Sequence, residues 1–167
     1  MSEIMPEAVV CIPSFRRPEG LKKTLASLAA QKVDFPFAVV VVDNDGAGQQ
    51  GLAVAHAFFA ESGMAGQALV EPTQGNCYAI NTAFRTARQT YPSAEWLLMI
   101  DDDEAASPNG LPKWFRLQSP SASISSADRS TANSTPRLRR RFYRIHCSAP
   151  SKRRPAGSSK STDRAIA

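Results

Sequence analysis

The sequence predicts an α/β protein: an open, mostly parallel sheet with helices on both faces, followed by a disordered tail. Three observations carry that prediction. Short all-apolar runs alternate with longer segments of helical apolar spacing, two of the runs end in clustered acids, and the composition breaks near Leu111. The alternation reads βαβαβαβ, which implies parallel strands joined by right-handed crossovers. The break is one of charge as well as of pattern. Residues 1–111 hold seven Lys/Arg against thirteen Asp/Glu, a balance of −6, and residues 112–167 hold thirteen against two, or +11, so the net +5 describes neither part.

Residues 8–12 (Ala-Val-Val-Cys-Ile) are an apolar run ended by Pro13, the first buried strand. Pro18 suits a first helical turn. Leu21, Leu25 and Leu28 then recur at helical spacing through Gln31, with Lys22 and Lys23 facing out, an amphipathic helix. The Val-rich run 37–42 is a second strand buried on both faces, ending in Asp43-Asn44-Asp45-Gly46. Residues 48–62, with Leu52, Val54, Ala55, Phe58 and Phe59, form a second helix closed by Gly63. Residues 67–71 form a short third strand stopped by Pro72. Gly75-Asn76 opens a third helix whose apolar stripe is Ile80, Ala83, Phe84 and Ala87. Residues 96–100 (Trp-Leu-Leu-Met-Ile) are a central strand covered on both faces, and Asp101, Asp102, Asp103 and Glu104 follow it.

The 167-residue length suits one domain with a real core. Residues 1–10 carry Glu3, Pro6 and Glu7 where a secretory signal needs an apolar stretch, and no apolar run approaches the roughly 20 residues of a membrane span. Cys11, Cys77 and Cys147 are odd in number and far apart, which suggests neither a disulfide framework nor a zinc knuckle. A cytoplasmic location is expected, extending to the inner face of the membrane through peripheral contact of the basic tail. Past Leu111 the Ser-, Arg- and Pro-rich composition cannot bury enough apolar surface to offset the entropy of ordering it, so residues 113–167 are expected to be mostly disordered.

Ligands of open α/β sheets bind at the carboxyl ends of the strands, and here those ends carry acids. Neither G-x-G-x-x-G nor G-x-x-x-x-G-K-[ST] occurs, which argues against a dinucleotide oxidoreductase or a P-loop ATPase. An EF-hand is excluded by Ala106, which stands where that loop demands glycine. Adjacent carboxylates repel unless a cation or ordered donors hold them, so the acids read as a divalent-metal site or as solvated turns. Carboxylates can hold Mg²⁺ or Mn²⁺, which in turn holds phosphate.

Four blocks in order resemble the successive motifs of family 2 glycosyltransferases with the GT-A fold. They are Val10-Cys11-Ile12-Pro13-Ser14-Phe15-Arg16-Arg17-Pro18-Glu19, Val41-Val42-Asp43-Asn44-Asp45, Gly75-Asn76 leading to Asn81, and Leu98-Met99-Ile100-Asp101-Asp102-Asp103-Glu104. The similarity spans roughly residues 7–111. It implies a Rossmann-like nucleotide-sugar-binding half over residues 1–112, with a basic tail over 113–167. By resemblance, Pro13, Ser14, Phe15 and Arg16 lie beside the base and ribose, and Asp43, Asn44 and Asp45 read them, with Asn44 standing where a second Asp is common. Gly75, Asn76 and Asn81 belong to the same donor site. The D-x-D motif maps to Asp101-Asp102-Asp103: Asp101 and Asp102 approach ribose and phosphate, and Asp103, with Asp101, ligates Mn²⁺ or Mg²⁺. The implied partner is a nucleotide-diphospho-sugar donor, with an acceptor in a polysaccharide, lipid or protein glycan.

The family continues past this motif into an acceptor pocket with an acidic general base, whereas only Asp128 and Asp163 follow Glu104 here. The expectation is a truncated chain that binds donor without completing transfer, its tail the product of a reading-frame change or of a truncated gene fused to unrelated codons. Two rival readings stand beside it. One is a nucleic-acid-binding protein resting on Arg137 to Arg141 with Phe142 and Tyr143, although no specific nucleic acid is expected. The other is a nucleotidyltransferase, which would need a glycine-rich loop in place of Pro13-Ser14-Phe15. Arg16 and Arg17 are placed to contact a diphosphate or, equally, to stay solvated. His56 is a structural residue, Cys11 and Cys77 are small core residues, and Phe58, Phe59 and Phe84 are core rather than stacking platforms. The pair His146 and Cys147 is accidental.

Overall fold

A computed structural model describes residues 5–111 and the backbone of residues 141–144. The apolar runs become strands β1 (Ala8–Ser14), β2 (Phe37–Asp43), β3 (Gly66–Val70) and β4 (Trp96–Met99), and a short β5 is formed by Arg141–Arg144. Between them lie helices α1 (Pro18–Ala29), α2 (Gln50–Ser62) and α3 (Asn76–Thr90). The sheet order is β3-β2-β1-β4-β5 and every pair is parallel. The middle strand is β1, and the acid-tipped β4 also lies inside the sheet, between β1 and β5.

Three layers follow from the alternation of side chains along the strands. Val10, Ile12, Val39, Val41, Leu98 and Ile100 face α1 and α2, meeting Leu21, Leu25, Leu28 and Ala55. Val9, Cys11, Val40, Val42 and Leu97 face α3, where Ala79, Ala83 and Ala87 let the helix lie close. Nearly all of these side chains are completely buried, and each large one stabilises the fold by roughly 1.5–3 kcal/mol relative to exposure. The buried stripe of α3 is Ala79, Thr82, Ala83, Thr86 and Ala87, one step round from the expected one. Ile80 and Phe84 sit at its margins because bulky side chains would hold the helix off the sheet.

Pro13 does not end β1, which continues to Ser14. The Cys11 carbonyl accepts from Ile100 N and the Ser14 carbonyl from Asn44 N. By that alternation the missing Pro13 N–H would point beyond the end of β4, where no ladder bond is lost. Cys11 is buried and burial pushes its thiol up to about 12. Cys77 is exposed at the first turn of α3, not a core residue. His56 is exposed, with Nε2 3.5 Å from the Ala68 carbonyl. Phe58, Phe59 and Phe84 are half-buried and pack against the two cores.

The disorder expected for residues 113–167 lies outside the described residues except at β5. There a stretch taken for unstructured basic tail pairs with β4, Arg141 opposite Trp96 and Arg144 opposite Met99. The edge of β4 offers unpaired backbone groups that any extended segment can satisfy without apolar side chains. Composition alone therefore missed it. Asp128, His146, Cys147 and Asp163 also lie outside the described residues. Among the described residues no helix is long and apolar enough to cross a membrane.

Candidate functional site

The chain builds β1, β2 and β3 outward in one direction and then returns to place β4 on the other side of β1. Loops leaving β1 and β4 must diverge at that reversal, which opens a crevice at their carboxyl ends. A cleft of about 450 Å³ lies there. The end of β1 contributes Pro13, Ser14, Phe15 and, one turn on, Arg17. The approach to α3 contributes Gln74, Gly75, Asn76 and Ala79, and the turn after β4 contributes Asp101, Asp102 and Asp103.

Asp102 is buried at 6% exposure and faces inward. Its Oδ2 accepts from the Ser14 hydroxyl at 2.9 Å and from the Phe15 amide at 3.2 Å, and Oδ1 lies 3.5 Å from Arg17 Nη1. Burial pushes its carboxyl above the usual carboxylate range, while the Ser14 hydroxyl, the Phe15 amide and Arg17 pull against that rise. Asp103 points outward, with Oδ2 2.6 Å from Arg17 Nη1 and about half of its side chain exposed. The acid turn is fastened to α1: Thr24 donates to the Glu104 carbonyl at 2.6 Å, and the Ala106 amide donates to Ser27. Gln31 reaches both the Ser107 carbonyl and the Leu111 amide. Gly20 permits this closeness, since a Cβ there would stand 2.7 Å from the Asp102 carbonyl oxygen.

The acids after β2 are committed differently. Asp43, 1% exposed, accepts from the Asp45 amide at 3.0 Å and from the Leu52 amide at 2.9 Å, which caps the first turn of α2. A Cβ on Gly51 would come within 2.9 Å of the same carboxylate. Asn44 is also buried. Its amide nitrogen donates to the carbonyls of Glu71 and Thr73, and its oxygen accepts from the Gly75 amide at 2.7 Å. Both hydrogens are thus spent on the loop that leads into α3, and Asn44 positions the cleft wall from behind. Asp45 binds Arg16 through Nε at 3.0 Å, and that hydrogen bond holds its carboxyl below the usual range. Arg16 is left-handed (φ 55°) and lies 4.9 Å over the Phe15 ring.

Of the residues expected at the site, Pro13, Ser14, Phe15, Asn44, Gly75, Asn76, Asp101, Asp102 and Asp103 do converge on the cleft. Asp43, Asp45 and Arg16 stand behind or beside it. Asn81 lies elsewhere, in a separate hollow with Phe84, Arg85, Arg88 and Gln89 on α3. It is five residues past Asn76, so helical rotation carries it off the face that meets the cleft. Gln74 and Ala79 line the cleft without having been singled out for it, and Arg17, weighed between a diphosphate contact and a solvated charge, lines it too. The signal available for Arg17 was its position just before Pro18 at the start of α1, which ties its backbone to a helix end beside the acids.

The solved structures similar to this fold include the following two. Staphylococcus aureus TarS aligns over 66% of this chain and 19% of its own, at 24% identity and a TM-score of 0.54. The mannosyltransferase PcManGT from Pyrobaculum calidifontis, solved with GDP-Man and Mn²⁺, aligns over 71% of this chain and 34% of its own, at 22% identity and a TM-score of 0.57. The chain therefore spans about a fifth to a third of the length of these structures. No curated protein matches it by sequence. The pattern of Glycosyl transferase family 2 matches residues 9–164, running past Leu111, where the resemblance was expected to stop. With a parallel GT-A-like sheet, acids at the strand reversal and a family match over most of its length, the chain belongs to glycosyl transferase family 2.

Proposed function

We propose that the cleft between β1 and β4 binds a nucleotide-diphospho-sugar together with Mg²⁺ or Mn²⁺, as the donor part of a transferase that passes the sugar to an acceptor hydroxyl. The observation that carries this reading is the meeting of Ser14 and Phe15, the N-terminus of α3 and the acids 101–103 in one cleft at the strand reversal. The start of α3 offers the positive end of a helix dipole to an anion there. The complex of PcManGT with GDP-Man and Mn²⁺ supports the ligand class.

The acids suit a hard cation only in part. Asp102 has its oxygens engaged by Ser14, Phe15 and Arg17; Asp101 and Asp103 line the same cleft, and Asp103, half exposed and paired with Arg17, is the carboxylate a cation reaches by displacing that guanidinium. Among the described residues no three His, Cys, Asp or Glu side chains gather as a ready-made cage. Mg²⁺ is commonly held by one or two carboxylates with substrate phosphates completing the shell, and these residues fit that pattern. Such a cation, when bound, neutralises the diphosphate and makes it a better leaving group. The protein's own part is to hold Asp102 fixed through Ser14 and the Phe15 amide, so that its neighbours on the acid turn face the cleft. Acceptor handling is proposed at family level alone, since the structural relatives are several times longer.

The test is thermal unfolding of the full chain with UDP, GDP, dTDP, CDP and ADP, each with and without Mg²⁺ or Mn²⁺. Ligand at about 100 times its Kd stabilises by about 2.7 kcal/mol, so at least one diphosphate should raise the midpoint by several degrees with metal and much less without it. No rise with any of them contradicts the proposal.

A further inference from the structure

Among the described residues, Arg17 is the cation that faces the acids of the cleft. Its Nη1 sits 2.6 Å from Asp103 and 3.5 Å from Asp102. Its backbone is fixed, because the Arg17 carbonyl accepts the Leu21 amide at the first turn of α1 and Pro18 follows it there. The side chain is 58% exposed and Asp103 56% exposed. A pair so open to solvent is weak and so can be exchanged. Arg16, its neighbour, is not free to take this role, being turned away by its left-handed backbone and held by Asp45.

We propose that Arg17 is an exchangeable counter-ion. It screens Asp103 and Asp102 while the cleft is empty, yields Asp103 to a divalent cation, and then turns its guanidinium to the diphosphate oxygens of the donor. The physical reason is that a guanidinium and a metal ion compete for the same carboxylate lone pairs and repel each other across them. A guanidinium displaced within this cleft has phosphate as its natural partner, since its fork matches phosphate oxygens. The inference rests on the donor-site reading above.

The consequence is a pair of opposite effects from one substitution. Arg17→Ala should bind Mn²⁺ alone more tightly, by about two- to fivefold, because the competing ion pair is gone. The same variant should bind a nucleoside diphosphate with Mn²⁺ about tenfold more weakly or worse, because charged hydrogen bonds to phosphate are lost. Arg17→Lys, a point charge without the fork, should leave Mn²⁺ affinity close to wild type and recover part of the diphosphate affinity.

The experiment titrates the full chain and both variants with Mn²⁺, counting free metal by electron paramagnetic resonance. It then titrates UDP, GDP, dTDP, CDP and ADP at saturating Mn²⁺ by calorimetry, with denaturant unfolding as the folding control. Tighter metal with weaker diphosphate in a folded Arg17→Ala supports the exchange. Unchanged or weaker Mn²⁺ binding, or unchanged diphosphate binding, overturns it. If Arg17→Ala fails the folding control, Arg17→Gln takes its place with the same two expectations. Wild-type chain that binds none of UDP, GDP, dTDP, CDP and ADP with Mn²⁺ would instead contradict the donor-site reading, so the two failures are distinguishable.

Discussion

The acids that follow β2 and those that follow β4 look alike in the sequence, yet Asp43 gives both oxygens to backbone amides while Asp103 keeps a half-exposed carboxylate on the cleft. Asn44 and Asp45 extend the contrast. One latches the Glu71–Gly75 loop and the other restrains Arg16. The β2 set therefore builds the site, and the β4 set, apart from the inward-facing Asp102, is turned to whatever enters it. A carboxylate's role here follows its partners: Asp43 is held by backbone amides inside the fold, whereas Asp103 is held by an exposed guanidinium that solvent and ligand can reach. Asp43 belongs to a strand enclosed between β1 and β3, whereas Asp101 and Asp103 lie on a turn at the mouth of the crevice.

If this contrast is right, substitutions in the two sets separate stability from binding. Asp43→Ala should be the most damaging to the fold, lowering unfolding free energy by about 3 kcal/mol, since two part-buried amides lose the acceptor that a buried carboxylate supplies. Denaturant titration measures it. A loss below about 1 kcal/mol would put Asp43 among the binding residues instead.

Asn44→Asp should come next, at about 2 kcal/mol, because a carboxylate oxygen would face the Glu71 and Thr73 carbonyls where the amide now donates. Amide exchange in residues 71–75 should quicken more than in the strands. Uniform exchange across the chain would show that Asn44 does not latch that loop.

The smallest expected effect concerns pH. Glu71 is held below its usual range first by the Thr82 hydroxyl at 2.6 Å and then by the Thr73 amide. A depressed carboxyl stabilises the fold above its ordinary titration range and loses that contribution as pH falls through the lowered value. Thr82→Val should therefore flatten the decline in unfolding midpoint between about pH 5 and about pH 3, and Thr82→Ser should restore it. An unchanged slope in Thr82→Val would remove Thr82 as the cause.

The order of elements was legible because buried parallel strands need apolar runs and their crossover helices need apolar stripes, as Val39 to Val42 and Leu21, Leu25 and Leu28 show. The place of Asp101–Asp103 followed from ligands of open sheets binding at the carboxyl ends of strands, and that of Ser14 from the resemblance to family 2 glycosyltransferases. Other features were not legible because they depend on distances no local pattern encodes. Nothing beside Asn44 announces that two carbonyls from residues 71 and 73 will meet its amide, nor that helical rotation takes Asn81 off the cleft. Arg16 and Arg17 are adjacent and identical in kind. Only the left-handed turn at Arg16 sends one to Asp45 and the other to Asp103. β5 was hidden for a related reason, since edge pairing uses backbone groups and leaves little mark on composition.

The most direct test of the division between site-building and ligand-facing acids is calorimetric titration of UDP, GDP and dTDP, with and without Mn²⁺, into wild type, Asp103→Asn and Asp45→Asn. Far-ultraviolet dichroism controls for folding. The account predicts metal-dependent binding in the wild type, a loss of about tenfold or more in a folded Asp103→Asn, and a much smaller loss in Asp45→Asn. Equal affinity with and without Mn²⁺, or an Asp103→Asn protein that binds like wild type, would contradict it and leave the acids after β4 as a solvated turn.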